Sequence, residues 1–332
     1  MPQNLAPRLL TEALEAPDRI ADQLARNRAA VAEIARHLKA SPPRFVVSAA
    51  RGSSSHAARY GKYLIETRLG LFTAATAPAV ATLYKARMKL DGALFFAVSQ
   101  SGRSPDLVKQ AEAARAAGAT TLALVNDLDS PLAKASDAVL PLAAGPETSV
   151  AATKSFLASL SALAQLVAGW ADDIALIQAL DRLPGALQEA ARTPWNYSLG
   201  RATSLFVVGR GPGFAIASEA ALKLKEVLGL HAEAYSAAEV LHGPVALVEP
   251  GFPVLAFVQD DEARASMEET LAALAAKGAT VTRVPTGAKA IHPALDLILQ
   301  AQVFYPWVAR KAVARGLDPD RPRHLKKVTE TL

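Results

Sequence analysis

No cysteine occurs anywhere in the 332 residues. That absence excludes a disulfide scaffold, a zinc ribbon, an iron–sulfur centre and any thiol nucleophile within this sequence. Aromatic residues are scarce, at 6% of the chain, which leaves little for stacking nucleic-acid bases. The six histidines lie far apart with no pair at i,i+4 spacing, so no metal site is expected. No apolar run reaches the ~20 residues that a membrane-spanning helix needs. The longest uncharged stretch, Ser155 to Ala171, is interrupted by Ser159, Ser161 and Gln165 and reads as a buried helix. The stretch Met1 to Arg8 lacks the basic-then-apolar pattern of a signal peptide, so a soluble, cytoplasmic protein is expected. Neither sign of charge dominates: 36 Lys+Arg against 31 Asp+Glu gives +5. The signs alternate along most of the chain, and only Arg321 to Lys327 forms a basic cluster. A small anionic substrate explains that excess as well as a polyanion does. No nucleic acid, membrane or cofactor is expected as a partner.

What the chain does contain is alternation. The first forty residues carry apolar positions at a 3.6 period and stop at Ser41-Pro42-Pro43, which predicts helix. Phe45-Val46-Val47 then reads as a buried parallel strand, followed by Arg51-Gly52-Ser53-Ser54-Ser55 and a helix from Ser55 to Arg68. Further predicted strands are Ala75 to Val80, Ala93 to Val98, Thr120 to Val125 and Ala138 to Leu142, with helix-like segments between them such as Asp106 to Ala117. The pattern restarts at Leu205 to Gly211, roughly 160 residues on, about one domain length. A helix from Ala215 to Leu228 follows, then strands at Val254 to Val258 and Thr280 to Val284. Strands alternating with helices give right-handed crossovers and a parallel sheet. The expected class is α/β: two doubly wound parallel-sheet, flavodoxin-like domains in tandem. The expected boundaries are a helical segment 1–34, a first domain 35–187, a second domain 188–318 and an extended tail 319–332.

In such sheets ligands bind beyond the carboxyl ends of the strands. After the first strand comes Gly52-Ser53-Ser54-Ser55, and after the third comes Ser99-Gln100-Ser101-Gly102-Arg103-Ser104. Two hydroxyl-dense turns, each opening a helix, suit a phosphate monoester; taken singly, such serines are also ordinary caps and turn formers. Gly209, Gly211 and Gly213 follow a strand, but the third fingerprint glycine would fall at Phe214, which argues against a dinucleotide site. Glu219, Lys223 and Glu226 share one helix face, either as paired surface charges or as chemistry. His242, beside Gly243-Pro244 on a loop, is a candidate acid or base.

These residues resemble a known family. Leu222-Lys223-Leu224-Lys225-Glu226, His231 to Tyr235 and Glu239-Val240-Leu241-His242-Gly243-Pro244 are similar to the isomerase half of glucosamine-6-phosphate synthase, which consists of two sugar isomerase (SIS) domains. The resemblance extends to Ser99 to Gly102, to Glu147 through Phe156 and to Pro322 through Lys327, in order over nearly the whole chain. It implies a phosphate cradle of Ser53, Ser54, Ser99, Gln100, Ser101 and Ser104, with Val150 and Ala152 bordering the sugar through backbone groups. It implies Glu226 as the base that moves a proton between C1 and C2, Lys223 near the reacting oxygens, and Lys327 engaging the open-chain sugar. His242 would assist ring opening from the neighbouring subunit of a homodimer with shared active sites.

The departures imply more. The synthase draws ammonia from glutamine with a cysteine-bearing domain, and neither that domain nor a cysteine is found here. Arg103-Ser104-Pro105-Asp106 looks like the stand-alone SIS deaminases of amino-sugar phosphates. The expected reaction is therefore glucosamine-6-phosphate and water to fructose-6-phosphate and ammonia, with no metal or cofactor. The alternatives are a galactosamine-6-phosphate or fructosamine phosphate substrate, or a non-catalytic sugar-phosphate sensor.

Overall fold

The computed structural model describes residues 6–327. Two compact units emerge, each assembled from separated stretches of chain. The first contains Asp18–Glu147, Lys154–Asp181 and the chain from Lys326; the second contains the chain up to Pro17, Thr148–Thr153 and Arg182–Leu325.

In the first unit, helix α1 (Arg8–Ala40), begun in the second unit, leads into β1 (Phe45–Ala50). There follow α2 (Gly52–Leu69), β2 (Thr73–Ala75), α3 (Pro78–Thr82), β3 (Ala93–Ser99), α4 (Pro105–Ala116), β4 (Thr120–Val125), α5 (Pro131–Lys134) and β5 (Ala138–Pro141). The buried helix α6 (Lys154–Ala171) comes next, and α7 (Ile174–Arg192) begins in this unit and continues in the second from Arg182. The five strands are all parallel in the order β2-β1-β3-β4-β5, with Val46 opposite both Thr73 and Leu94. Every residue of β3 is buried, because helices cover both faces of the sheet. On one face Val47, Ala49, Phe95, Ala97, Ala123 and Val125 pack with Leu107 and Ala111 of α4.

The strand predicted over Ala75 to Val80 is corrected. The strand ends at Ala75, and Pro78 takes the first position of α3, where its fixed φ suits a helix start and its missing N–H costs nothing. The helices predicted from Ser55 and Ala215 also begin earlier, at Gly52 and Pro212.

In the second unit β6 (Ser204–Gly209), α8 (Pro212–Leu228), β7 (His231–Ser236), α9 (Ala237–Val240), β8 (Pro253–Phe257), α10 (Arg264–Ala276), β9 (Thr280–Arg283) and α11 (Pro293–Ala314) repeat the alternation. The sheet is parallel in the order β7-β6-β8-β9. Phe206, Val208, Val254 and Ala256 form a core with Met267, Leu271 and Leu274 of α10. Strand β7 escaped the sequence reading because His231, Glu233 and Tyr235 break the apolar run expected of a parallel strand; as an edge strand it needs only one buried neighbour.

The expected extended tail carries no helix or strand from 318 to 327, yet its stretch up to Leu325 is anchored in the second unit. Asp320 accepts hydrogen bonds from the backbone N–H groups of Arg8 and Leu9 at 2.9 and 2.8 Å, capping α1, and its own carbonyl accepts from Val150 N at 3.3 Å. The rest of the predicted tail, 328–332, lies outside the described residues. Among the described residues no helix is long and apolar enough to cross a membrane.

Candidate functional site

The order of the first sheet reverses between β1 and β3, which makes their carboxyl ends the topological switch point where such sheets take ligands. Both hydroxyl-rich turns are found there. The turn after β1 runs through Arg51 into α2 with half-buried Ser53 and Ser54 in its first turn, and the turn after β3 runs through Ser99 to Ser104 into α4. Each helix lends orphan N–H groups and the positive end of its dipole. Arg51 ties the turns together: its Nε and Nη2 both lie 2.7 Å from Oδ2 of buried Asp106.

The serines divide by role. Ser99 is buried, and its hydroxyl accepts from Gly102 N at 3.1 Å, so it shapes the turn. Ser101 Oγ accepts from Arg103 N at 3.3 Å. Ser104 stands at the N-cap of α4 without a side-chain capping bond, and the N-cap of α2 is Arg51, which caps nothing. Gln100 is half-buried, and its carbonyl accepts from Asn126 N at 3.2 Å. Gly102 carries φ +61, and a Cβ there would meet Ser130 Oγ at 2.2 Å, so the turn closes only around glycine.

Also in the first unit, Glu147 is fully buried and accepts from Ser155 N at 3.1 Å and from the Ser155 hydroxyl. Lys327 Nζ lies 3.4 Å from its Oε2. The structure thus gives the tail lysine a buried counter-ion that the sequence reading quoted in a motif without a role.

In the second unit, α8 turns its charged row inward. Lys223 and Glu219 are 1% and 2% exposed, so the paired-surface-charge reading does not hold; Glu226 is 19% exposed. Lys223 Nζ lies 3.4 Å from Glu219 Oε1 and makes a close ion pair with Glu226 Oε2. Burial alone pushes the Lys223 ammonium down, but the charges of Glu219 and Glu226 and their hydrogen bonds outweigh it and hold the lysine protonated above its ordinary value. A carboxylate at the rim of a buried ion pair can exchange a proton with a ligand while the ammonium beside it stays cationic. Tyr305 of α11 donates to Glu219 Oε1 at 3.1 Å, a partner that sequence reasoning missed. It lies 86 residues away in a mostly apolar helix, and no local pattern marks it.

Other candidates stand apart. His242 is exposed on the turn after α9, with its backbone N–H on Glu239 O at 2.9 Å. Among the described residues no hydrogen bond or ion pair joins its imidazole to the α8 row. Val150 and Ala152 lie half-buried on the irregular segment 148–153, which buried Glu12 holds by accepting from the Thr148 and Ser149 amides and the Thr148 hydroxyl. Gly209 and Gly213 make a tight strand-to-helix turn: a Cβ at Gly209 would fall 2.3 Å from Gly213 O, and one at Gly213 would fall 2.6 Å from Gln259 Oε1. Among the described residues no cluster of His, Asp or Glu has the form of a metal site.

A model of the SIS domain matches residues 41–169 and 198–285. The isomerizing glutamine–fructose-6-phosphate aminotransferase of Symbiobacterium thermophilum is 36% identical over 328 residues, covering 86% of this chain and 51% of that protein. Its namesake from Sulfurisphaera tokodaii is 32% identical over 297 residues, covering 85% and 49%. The chain therefore spans about half the length of these curated relatives. Among solved structures, a candidate phosphosugar isomerase from Silicibacter pomeroyi superposes with TM-score 0.90 at 44% identity, covering 95% of this chain and 100% of that one. The C-terminal domain of glucosamine-fructose-6-phosphate aminotransferase from Francisella tularensis superposes with TM-score 0.80 at 23% identity, covering 97% and 100%; that likeness speaks for the fold.

Proposed function

The chain belongs to the SIS domain family, and from that premise we propose that it is an aldose–ketose isomerising enzyme of amino-sugar phosphates, most specifically a deaminase converting glucosamine-6-phosphate and water to fructose-6-phosphate and ammonia. The observation that carries the reading is the Glu226 carboxylate at the rim of a buried ion pair with Lys223. Isomerisation next to a carbonyl needs one positioned carboxylate, and a fixed ammonium beside it steadies charge that develops on oxygen.

In this reading Ser53, Ser54, Gln100, Ser101 and Ser104 and the α2 and α4 N-termini hold the phosphate, while Ser99 keeps their turn closed. His242, contributed by the neighbouring subunit of a homodimer, assists opening of the pyranose ring. Glu226 takes the proton from C2 of the open-chain amino aldehyde and returns it to C1, leaving an imine at C2. Water adds to that carbon, the C–N bond breaks and ammonia leaves, so fructose-6-phosphate remains. Lys223 faces the reacting oxygens, Lys327 engages the open-chain sugar, and the Val150 and Ala152 backbone borders it. The names of the relatives, which act on fructose-6-phosphate, support a six-carbon sugar phosphate as the substrate class.

Ammonia release from a panel of amino-sugar phosphates by the purified protein tests the proposal. Release from glucosamine-6-phosphate with equimolar fructose-6-phosphate is expected. Isomerisation of a non-amino sugar phosphate without any ammonia would overturn the deaminase assignment.

A further inference from the structure

The charged row of α8 extends onto a second helix. Tyr305 is fully buried on α11, and its phenol donates to Oε1 of Glu219, the same oxygen that faces Lys223 Nζ. The order is phenol, carboxylate, ammonium, carboxylate, ending at Glu226. One ammonium serves two carboxylates here, so its division between them sets how firmly Glu226 is held in place. A phenylalanine would fill the same space, whereas a buried hydroxyl costs stability unless it is bonded. The hydroxyl therefore has an electrostatic consequence that packing alone does not require.

We propose that Tyr305 is a positioning residue for the proton transfer: by donating to Glu219 it frees Lys223 to pair with Glu226, which keeps Glu226 oriented as the base. The proposal rests on Glu226 being that base. The other elements packed against α8 bring few rivals. Strands β6 and β8 carry no titratable side chain. Strand β7 carries exposed His231 and Glu233 and half-buried Tyr235, whose hydroxyl is engaged with Glu233. Helix α11 adds Asp296, which accepts from Ile291 N, and Arg310 and Lys311 near its far end. On α8 itself Lys225 is exposed.

The test reads the titration of Glu226 directly, by carboxyl carbon NMR of the substrate-free protein, with the signal assigned through Glu226→Gln. Tyr305→Phe removes one donor from Glu219, draws Lys223 toward it and raises the Glu226 midpoint. Glu219→Gln keeps an acceptor for Tyr305 but no charge, so Lys223 turns wholly to Glu226 and the midpoint falls. The acid limb of kcat/KM moves with the midpoint in each variant, and KM for the sugar phosphate stays near wild type in Tyr305→Phe. Should Tyr305→Phe fail to fold, 3-fluorotyrosine placed at position 305 is nearly isosteric and a stronger donor, and it lowers the midpoint. Midpoints that stay put or move the same way in the Tyr305→Phe and Glu219→Gln proteins overturn the proposal, as does an unmoved midpoint with 3-fluorotyrosine. Failure of the deaminase reading is a separate result: no ammonia would then be released from any amino-sugar phosphate by the wild type, while the NMR midpoints need no substrate.

Discussion

Glu226 is the side chain on which the proposed chemistry turns, and glutamine is the sharpest probe of it. The amide keeps the shape and one acceptor but cannot take a proton, and loss of a general base costs ~10²–10⁴-fold. We expect kcat of Glu226→Gln to fall by that factor with KM nearly unchanged; steady-state kinetics that find turnover within a few-fold would move the base to Glu219. Glu12 offers a prediction about stability instead. Burial pushes its carboxyl up, yet the bonds from Thr148 and Ser149 prevail and hold it below the usual 4.5. A carboxyl with a depressed folded value stabilises fully above its unfolded value, and that share is lost as pH falls through the folded one. Urea midpoints measured from pH 7 downward should therefore drop more steeply below about pH 4.5 in the wild type than in Glu12→Gln. The sequence made Lys223 and Glu226 visible because i,i+3 and i,i+4 spacing is a local signal. Tyr305 and Glu12 stayed hidden because their partners arrive from distant chain, and periodicity says nothing about such meetings.

At the level of elements, the strand-to-helix turns were legible for the same local reason: β-branched runs ended by glycine and serine have few other outcomes. The edges of the sheets were not. An apolar pattern runs on past Ala75, but Pro78 opens a helix, and β7 hides its strand character behind alternating polar side chains. The two kinds of serine in the β3–α4 turn make distinct predictions. Ser104→Ala should raise KM for the sugar phosphate with little change in thermal stability, since each hydrogen bond to a charged group is worth about 1.5–3 kcal/mol. Ser99→Ala should lower the melting temperature as well, because its hydroxyl holds Gly102 N inside the fold. Equal melting temperatures for the two variants would show that Ser99 does not shape the turn. Asp320 caps α1 across the chain, so Asp320→Ala should cost about 0.5–2 kcal/mol in denaturant unfolding, the range for lost N-caps.

For the whole molecule, the tandem parallel sheets were readable from alternation and from the restart at Leu205, whereas the way distant chain segments combine within each unit was not. The proposed homodimer has its own test. With His242 serving the partner's site and Lys327 its own, inactive His242→Ala and Lys327→Ala chains allowed to exchange subunits form mixed dimers with one intact site. Activity should then return, up to about half the wild-type value per mixed dimer. No recovery despite demonstrated exchange would place both residues in one subunit's site.

The cap that Asp320 places on α1 also bears on how the protein is made. Residues 8 and 320 lie 312 positions apart, so α1 leaves the ribosome long before its cap exists. At about 5–20 residues per second, the 312 additions from one to the other take roughly 15–60 s. Throughout that interval Leu9, Ala13 and Ala16, buried in the finished fold, are without their final cover, and Gln302, which donates to Ala13 O, has not been synthesised. The nascent chain should therefore be a client for chaperones along α1, even while the first sheet, complete in sequence by Pro141, is already able to form.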